Sequence, residues 1–191
     1  MIRLRTALAF VVSAASAASL PAFVACGAPQ SKAQTELSKL PPFAGHDKEL
    51  YDDSIEATAL GMTMDKPTFR GDAKFRERAQ KATTVARVKI TTVTIDKVDE
   101  RATYHLTMAV IGPVIAGEPD TALELTVHEG DNAFPLVNQL RENLRDKTLL
   151  AMWKRFREGD GANTHFYAAP DDELTVAAAK EAIVLHEVSK R

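Results

Sequence analysis

The stretch VARVKITTVTID, residues 85–96, decides the fold, because it combines strand-forming residues with a break in their alternation. Its apolar residues fall into two pairs of opposite parity: Val88 and Ile90, then Val93 and Ile95. Successive side chains of a strand point to opposite faces, so a regular strand would divide these pairs between two faces. A β-bulge near Thr91 or Thr92 would return both pairs to one face. The stretch therefore predicts a bent strand, of the kind that barrels contain.

Two alternating strands follow this bent strand. Their apolar residues are Tyr104, Leu106, Met108 and Val110 in the first, and Leu123, Leu125 and Val127 in the second. The period then changes to that of a helix, with Pro135 suited to its first turn. The leucines that repeat along this helix are Leu136, Leu140 and Leu144.

A second pair of strands and a closing helix complete the chain. Residues 147–156 and 164–168 have strand character, and the turn EGDG (158–161) separates them. Asp171 and Asp172 predict the start of a final helix, since acidic residues favour a helix N-terminus. We assign its apolar face to Leu174, Ala178, Ala182, Leu185 and Val188.

This order of elements, over residues 84–190, resembles an OB-fold barrel and, with its C-terminal helix, the netrin-like version of that fold. The resemblance implies a mainly β domain with helices: a five-stranded OB-like barrel over 84–191, with an inserted helix and a C-terminal helix. The alternative is an α+β sandwich with an antiparallel sheet. The residues that precede this domain, 43–83, are predicted to form an irregular arm with a short helix at Phe75–Lys81. Its apolar residues can dock on the core: Leu50, Tyr51, Ile55 and Leu60.

The N-terminus has the features of an export signal. Two arginines precede an apolar run from Ala7 to Leu20, which is short for a membrane span. The following Phe23-Val24-Ala25-Cys26 resembles the lipobox of bacterial lipoproteins, although Phe23 stands where that family usually has Leu. The resemblance implies a signal peptide over 1–25 and a diacylglycerol joined to the Cys26 sulfur. The alternative is a plain secretory signal with an incidental cysteine.

The segment after the cysteine indicates where the protein is held. Residues 26–42 are polar and contain three prolines, so they predict a flexible tether between lipid and domain. Gly27 is not the Asp that, in many lipoproteins, retains the protein at the inner membrane. By that resemblance we expect a lipid-anchored protein of the cell envelope, at the outer rather than the inner membrane.

Composition excludes some classes of function. The 191 residues carry a formal charge of −2, and removal of a signal peptide with its two arginines would leave −4. Nucleic-acid binding usually requires a basic excess, so we do not expect it. Cys26 is the only cysteine, so the chain has neither an intramolecular disulfide nor a CxxC motif.

The residues that could carry chemistry form no recognised catalytic pattern. His105, His128 and His165 lie on predicted strands and are the candidates for an open zinc site, but HExxH spacing is absent. We interpret them as solvated, and the acidic residues of the arm (Asp47, Glu49, Asp52, Asp53 and Glu56) likewise. No serine lies in a G-x-S-x-G or S-x-x-K motif. The sequence thus assigns no catalytic residue, no metal and no cofactor besides the lipid.

Aromatic and basic residues in the fourth predicted strand are the candidates for ligand binding. These are Trp153, Lys154 and Arg155. On an OB-like barrel they could bind an oligonucleotide or a glycan, but strand alternation predicts that many of the aromatic residues fill the core, so we favour a structural role. The leading hypothesis is a non-enzymatic, membrane-tethered binding or assembly module whose ligand the sequence does not identify, with an envelope protein or a glycan as the candidate partners. The alternatives are a peripheral metal-dependent hydrolase and an envelope glycan-binding domain.

Overall fold

The computed structural model describes residues 32–62, 68–118 and 122–191. The predicted signal peptide, the lipobox and Cys26 lie outside these ranges. Among the helices within them, none has the length and apolar character needed to cross a bilayer.

One mixed sheet forms the centre of the molecule. Its strands are β1 (Ser54–Ile55), β2 (Thr84–Val98), β3 (Arg101–Val110), β4 (Ala122–His128), β5 (Thr148–Glu158) and β6 (Gly161–Pro170). They are hydrogen-bonded in the order β1-β6-β5-β2-β3-β4, and the sheet curls into a half-barrel. All neighbours are antiparallel except β1 and β6.

The helices surround this sheet. They are α1 (Lys32–Lys39), α2 (His46–Leu50), α3 (Ala73–Lys81), α4 (Phe134–Leu140) and α5 (Glu173–Ser189). Short 3₁₀ turns occupy Ala57–Leu60, Phe69–Gly71 and Arg141–Leu144. The prediction of a mainly β domain with an inserted and a C-terminal helix is confirmed.

The predicted count of five strands is not confirmed, because the arm contributes a sixth. Ser54 and Ile55 pair in parallel with Tyr167 and Ala168 of β6. A strand of two residues is too short to show alternation, so its sequence gives no strand signal. Within the described residues β4 and β6 are not hydrogen-bonded to each other, which leaves the half-barrel open along one side.

The bulge predicted in β2 is present. The pairing of β2 with β3 shifts register between Ile90 and Thr92, so that Thr91 is the extra residue. As a result Val88 and Ile90 before the bulge and Val93 after it all contact the core inside the curl. Other members of this inner core are Leu106, Leu125, Val137, Leu144, Trp153 and Phe166.

Helices α3 and α5 cover the outer face of the sheet. They pack on Val85, Leu150, Met152 and Tyr167 to form a second core. Helix α5 begins where predicted: the Asp172 side chain accepts a hydrogen bond from the backbone N–H of Thr175, at 2.8 Å. This cap satisfies one of the amide groups that a helix start leaves unpaired.

The prediction of the apolar face of α5 is wrong in part. Leu174, Leu185 and Val188 are exposed, and the buried side consists of small residues: Thr175, Ala178, Ala179 and Ala182. Small side chains let the helix backbone lie close to the sheet, whereas a leucine there would hold it away. Hydrophobic spacing alone does not distinguish these two sides.

The arm packs closely against the barrel. Leu50, Tyr51, Ile55 and Leu60 are buried, as the sequence predicts. The guanidinium of buried Arg78 lies 3.7 Å from the ring centroid of Tyr167, and its Nη2 donates to both carboxylate oxygens of Asp52 at 3.2 Å. The expectation that the carboxylate of Asp52 is merely solvated is therefore wrong, because a buried cation requires a partner.

Part of the segment that the sequence predicts to be a flexible tether has regular secondary structure. Residues Lys32–Lys39 form α1, whose sequence KAQTELSK is rich in good helix formers. Pro42 then forms a parallel bridge with Arg157 near the end of β5. The described part of the predicted tether is thus connected to the barrel through β5.

Candidate ligand-binding cleft

A cleft of about 390 Å³ lies between β4 and the hairpin of β5 and β6. This volume falls within the range of small-ligand sites. Its lining residues are Ala122, Leu123, Glu124, Trp153, Arg155, Ala162 and Thr164.

The cleft exists because two strand edges face each other without pairing. In the described part of the chain β4 pairs only with β3, and β1 covers β6 only at Tyr167 and Ala168. The first half of β6, where Ala162 and Thr164 lie, pairs with β5 alone. Unpaired strand edges present backbone N–H and C=O groups that can bind another extended chain.

Alternation along β5 places Trp153 and Arg155 together at the cleft. Trp153 packs in the inner core with only 8% of its surface exposed, so it forms the floor of the cleft. Arg155 is exposed and pairs with Thr164 on β6. Trp153 therefore contributes mainly to stability, whereas Arg155 is accessible to a ligand.

The third predicted residue, Lys154, lies on the opposite face of β5. Its Nζ is 3.5 Å from Asp47 Oδ2 and 5.1 Å from the ring centroid of Phe156. These contacts hold Lys154 against the arm. The structure thus separates Lys154 from the pair formed by Trp153 and Arg155, as strict alternation requires.

The charges at the cleft are one cation and one anion. Neither Arg155 nor Glu124 has an ion-pair partner within 4.0 Å among residues 32–62, 68–118 and 122–191. Thr164 adds a hydroxyl group. Such a site can donate to carbonyl or carboxylate oxygens and accept from N–H groups, which is the hydrogen-bonding capacity that a polypeptide segment matches.

The three histidines considered as metal ligands have separate surroundings. His105 Nε2 lies 3.1 Å from Asp96 Oδ2, and His128 Nδ1 lies 3.4 Å from Thr103 Oγ1. His165 contacts the arm instead. Over the described ranges, no group of three or more histidine, cysteine, aspartate or glutamate side chains is placed to hold a metal ion.

His165 is not solvated, contrary to the expectation from sequence. Its Nδ1 forms a 2.6 Å hydrogen bond with Asp53 Oδ2, and Asp53 Oδ1 accepts a hydrogen bond from the backbone N–H of Phe166. The other ring nitrogen, Nε2, is buried 3.4 Å from Glu158 Oε2, outside hydrogen-bonding geometry. The expectation of solvated charge is therefore also wrong for Asp53.

The protonation of His165 reflects two opposing effects. Burial lowers the pKa of His165, because the charged ring is removed from water. The hydrogen bond and charge of Asp53, with the charge of Glu158, outweigh burial and raise this pKa above its ordinary value of 6.5. Burial also raises the pKa of Asp53. The imidazole of His165 therefore stays protonated beside Asp53 to a higher pH than a solvated histidine would.

The sequence contains little that could have identified this cluster. Asp53 and His165 are far apart in the chain, and they meet because β1 pairs with β6 beside them. Asp53 also has a positive φ of 50°, a conformation that Asp adopts more readily than most residues. A positive φ has no reliable signature in a single sequence.

Comparison with known proteins finds neither a protein-family model that matches this chain nor a curated protein with significant similarity to it.

Proposed function

We propose that this protein is a non-enzymatic binding module of the bacterial cell envelope, which holds an extended segment of a partner protein in the cleft between β4 and β6. The observation that carries the proposal is the position of the cleft between two strand edges that have no strand partner there in the described chain. A peptide that adds to such an edge gains main-chain hydrogen bonds, and side chains beside the edge provide specificity.

The strand order supports an OB-like barrel as the framework of this module. Without β1, the remaining five strands pair in the order β6-β5-β2-β3-β4, and α4 lies between β4 and β5 in the chain. In this arrangement β4 and β6 are the two strands that would meet to close the barrel. A bound segment would fill the gap between them.

The charges of the cleft support a polypeptide ligand. Arg155 can donate to backbone carbonyl or carboxylate oxygens, and Glu124 can accept from backbone N–H groups. A glycan site would usually offer an exposed aromatic face for stacking. The near-complete burial of Trp153 makes the glycan-binding alternative weaker.

Attachment to the membrane is a separate part of the proposal. It rests on the lipobox-like Phe23-Val24-Ala25-Cys26, and Gly27 favours delivery to the outer membrane. Two or more acyl chains give durable anchoring, since each buried CH₂ contributes about 0.8 kcal/mol. The anchor would confine the module, and therefore its partner, to the membrane surface.

Site-specific photocrosslinking in the native envelope tests the cleft. A photoreactive amino acid at Glu124 should capture one defined protein, whereas the same group at exposed Glu49 on α2 should not. Capture at Thr164 should fall strongly with Arg155→Glu and persist with Arg155→Lys. Absence of an adduct at both cleft positions, or equal adducts at Glu49, contradicts the proposed binding site.

The anchor is tested independently of the cleft. A Cys26→Ser precursor should lose incorporation of labelled fatty acid and should no longer fractionate with the outer membrane. Unchanged labelling would contradict lipid attachment at Cys26 and leave the cleft hypothesis intact.

A further inference from the structure

Helix α5 exposes a row of apolar residues on a side that does not contact the sheet. We call this row the α5 seam; it comprises Leu174, Ala177, Glu181, Val184, Leu185 and Val188. The exposed fractions of Leu174, Leu185 and Val188 are 84%, 51% and 66%. Apolar side chains that are exposed together along one side of a helix are a feature of interaction surfaces.

The α5 seam is nearly symmetric about Glu181. Leu174 and Ala177 precede Glu181 by seven and four residues, and Leu185 and Val188 follow it by four and seven. A two-fold axis through Glu181 would bring residues at equal distances on either side opposite each other in an antiparallel helix pair. Leu174 would then face Val188 of the second copy, and Ala177 would face Leu185.

The one charged residue of the seam already has a counter-ion. Glu181 Oε2 lies 3.0 Å from Nε of Arg70, whose side chain is 78% exposed. Pairing about the axis would bring together two glutamates and two arginines, so that no carboxylate at the centre lacks a cation. Buried charges without partners would oppose association strongly.

In an antiparallel pair, the start of one α5 helix and the end of the other carry opposite charges. Glu173 lies at the start of the helix, and Lys190 and Arg191 follow its end. Antiparallel pairing places the acidic start of one helix beside the basic end of the other. The helix dipoles are also opposed in this arrangement, which is favourable.

We propose that the α5 seam is a homodimer interface, in which α5 pairs antiparallel with α5 of a second copy about a two-fold axis at Glu181. This proposal does not depend on the ligand of the cleft or on the lipid anchor. The dimer should dissociate on dilution.

Engineered cysteines in the full-length chain test whether the two α5 helices pair antiparallel. Leu174→Cys and Val188→Cys chains, mixed and oxidised, should form a mixed disulfide that joins positions 174 and 188. Each variant alone should not link to itself, because 14 residues of helix separate the two copies of one position by about 21 Å, beyond disulfide reach. Mass spectrometry of the linked peptides separates these products from links through Cys26.

A second pair of variants tests the interface without cysteines. Leu185→Glu and Lys180→Gln each change the charge by one negative unit, but only the first lies in the α5 seam. Sedimentation of the full chain should show dimerisation weakened by roughly tenfold or more for Leu185→Glu, and unchanged for Lys180→Gln. Self-linking of the Leu174→Cys variant through position 174, equal effects of the two charge substitutions, or a monomer at every concentration overturns the proposal.

Discussion

The imidazole ring of His165 stacks on the phenyl ring of Phe43, with centroids 3.5 Å apart and planes inclined by 7°. Around this contact, the backbone N–H of Arg157 donates to the Pro41 carbonyl at 2.8 Å. The chain that leads to the arm is thus joined to the hairpin of β5 and β6. Because Thr164 of the cleft precedes His165, this junction and the cleft share one strand.

Replacing Phe43 tests how much this junction contributes to stability. Phe43→Ala removes a half-buried ring that contacts both His165 and Phe156, so we expect the free energy of unfolding to fall by about 1–3 kcal/mol. Urea denaturation measures the change. Glu49→Ala, an exposed substitution on α2, serves as the control and should alter stability by less than ~0.5 kcal/mol. Equal effects would show that the stacking contributes nothing.

Stability should depend on pH through His165. Because the folded-state pKa of His165 is raised, the folded protein binds this proton more tightly than the unfolded chain. The resulting stabilisation is complete below the unfolded pKa, near 6.5, and is lost as pH rises through the higher folded pKa. Thermal melting from about pH 5.5 to 9 should therefore show a decline across that interval that His165→Gln diminishes.

Two control variants test whether this pH dependence of stability comes from His165. The pKa of exposed His46 is also raised, by hydrogen bonds to Glu77 and Glu49, so a His46→Gln background removes that contribution. Asp53→Asn keeps an oxygen for the N–H of Phe166 but removes the charge beside the ring, and NMR titration should show a lower His165 pKa. An unchanged pKa would refute the role of Asp53.

Truncation of Trp153 and truncation of Arg155 should have different effects on the free energy of unfolding. Trp153→Ala opens a cavity in the inner core and should lower the free energy of unfolding by about 3–5 kcal/mol. Arg155→Ala should change it by less than ~0.5 kcal/mol, since the side chain is exposed. Denaturation midpoints and slopes measure both. A Trp153→Ala protein of normal stability would contradict its place in the core.

Two glycines with similar backbone conformations differ in the space around them. At Gly117, with φ +78°, an added Cβ would lie 2.1 Å from the carbonyl oxygen of Thr83; at Gly112, with φ +70°, it would meet nothing within 4 Å. Gly112→Ala should lower the free energy of unfolding by about 1–2 kcal/mol, because alanine is strained at a positive φ. Gly117→Ala should lower it by about 1–3 kcal/mol more, because the added Cβ also overpacks the site. Matched denaturation curves measure the difference, and equal losses would contradict the close approach.

Local patterns were sufficient for much of the sheet. The parity change in VARVKITTVTID predicts the bulge that the structure has at Thr91, because side-chain alternation depends only on neighbouring residues. The cap at Asp172 was equally local. The face of α5 could not be predicted, since alanines and leucines at helical spacing compete, and the distance to the sheet decides between them.

By itself, the sequence determined the periodicities of five strands and the two helices of the main domain, since these depend on residues close together in the chain. Only the tertiary structure decided that Ser54 and Ile55 add a sixth strand, that Asp53 meets His165, and that Asp47 of the arm contacts Lys154. All three are contacts between residues far apart in the chain. Such contacts arise from the packing of distant segments, for which one sequence carries no local signal.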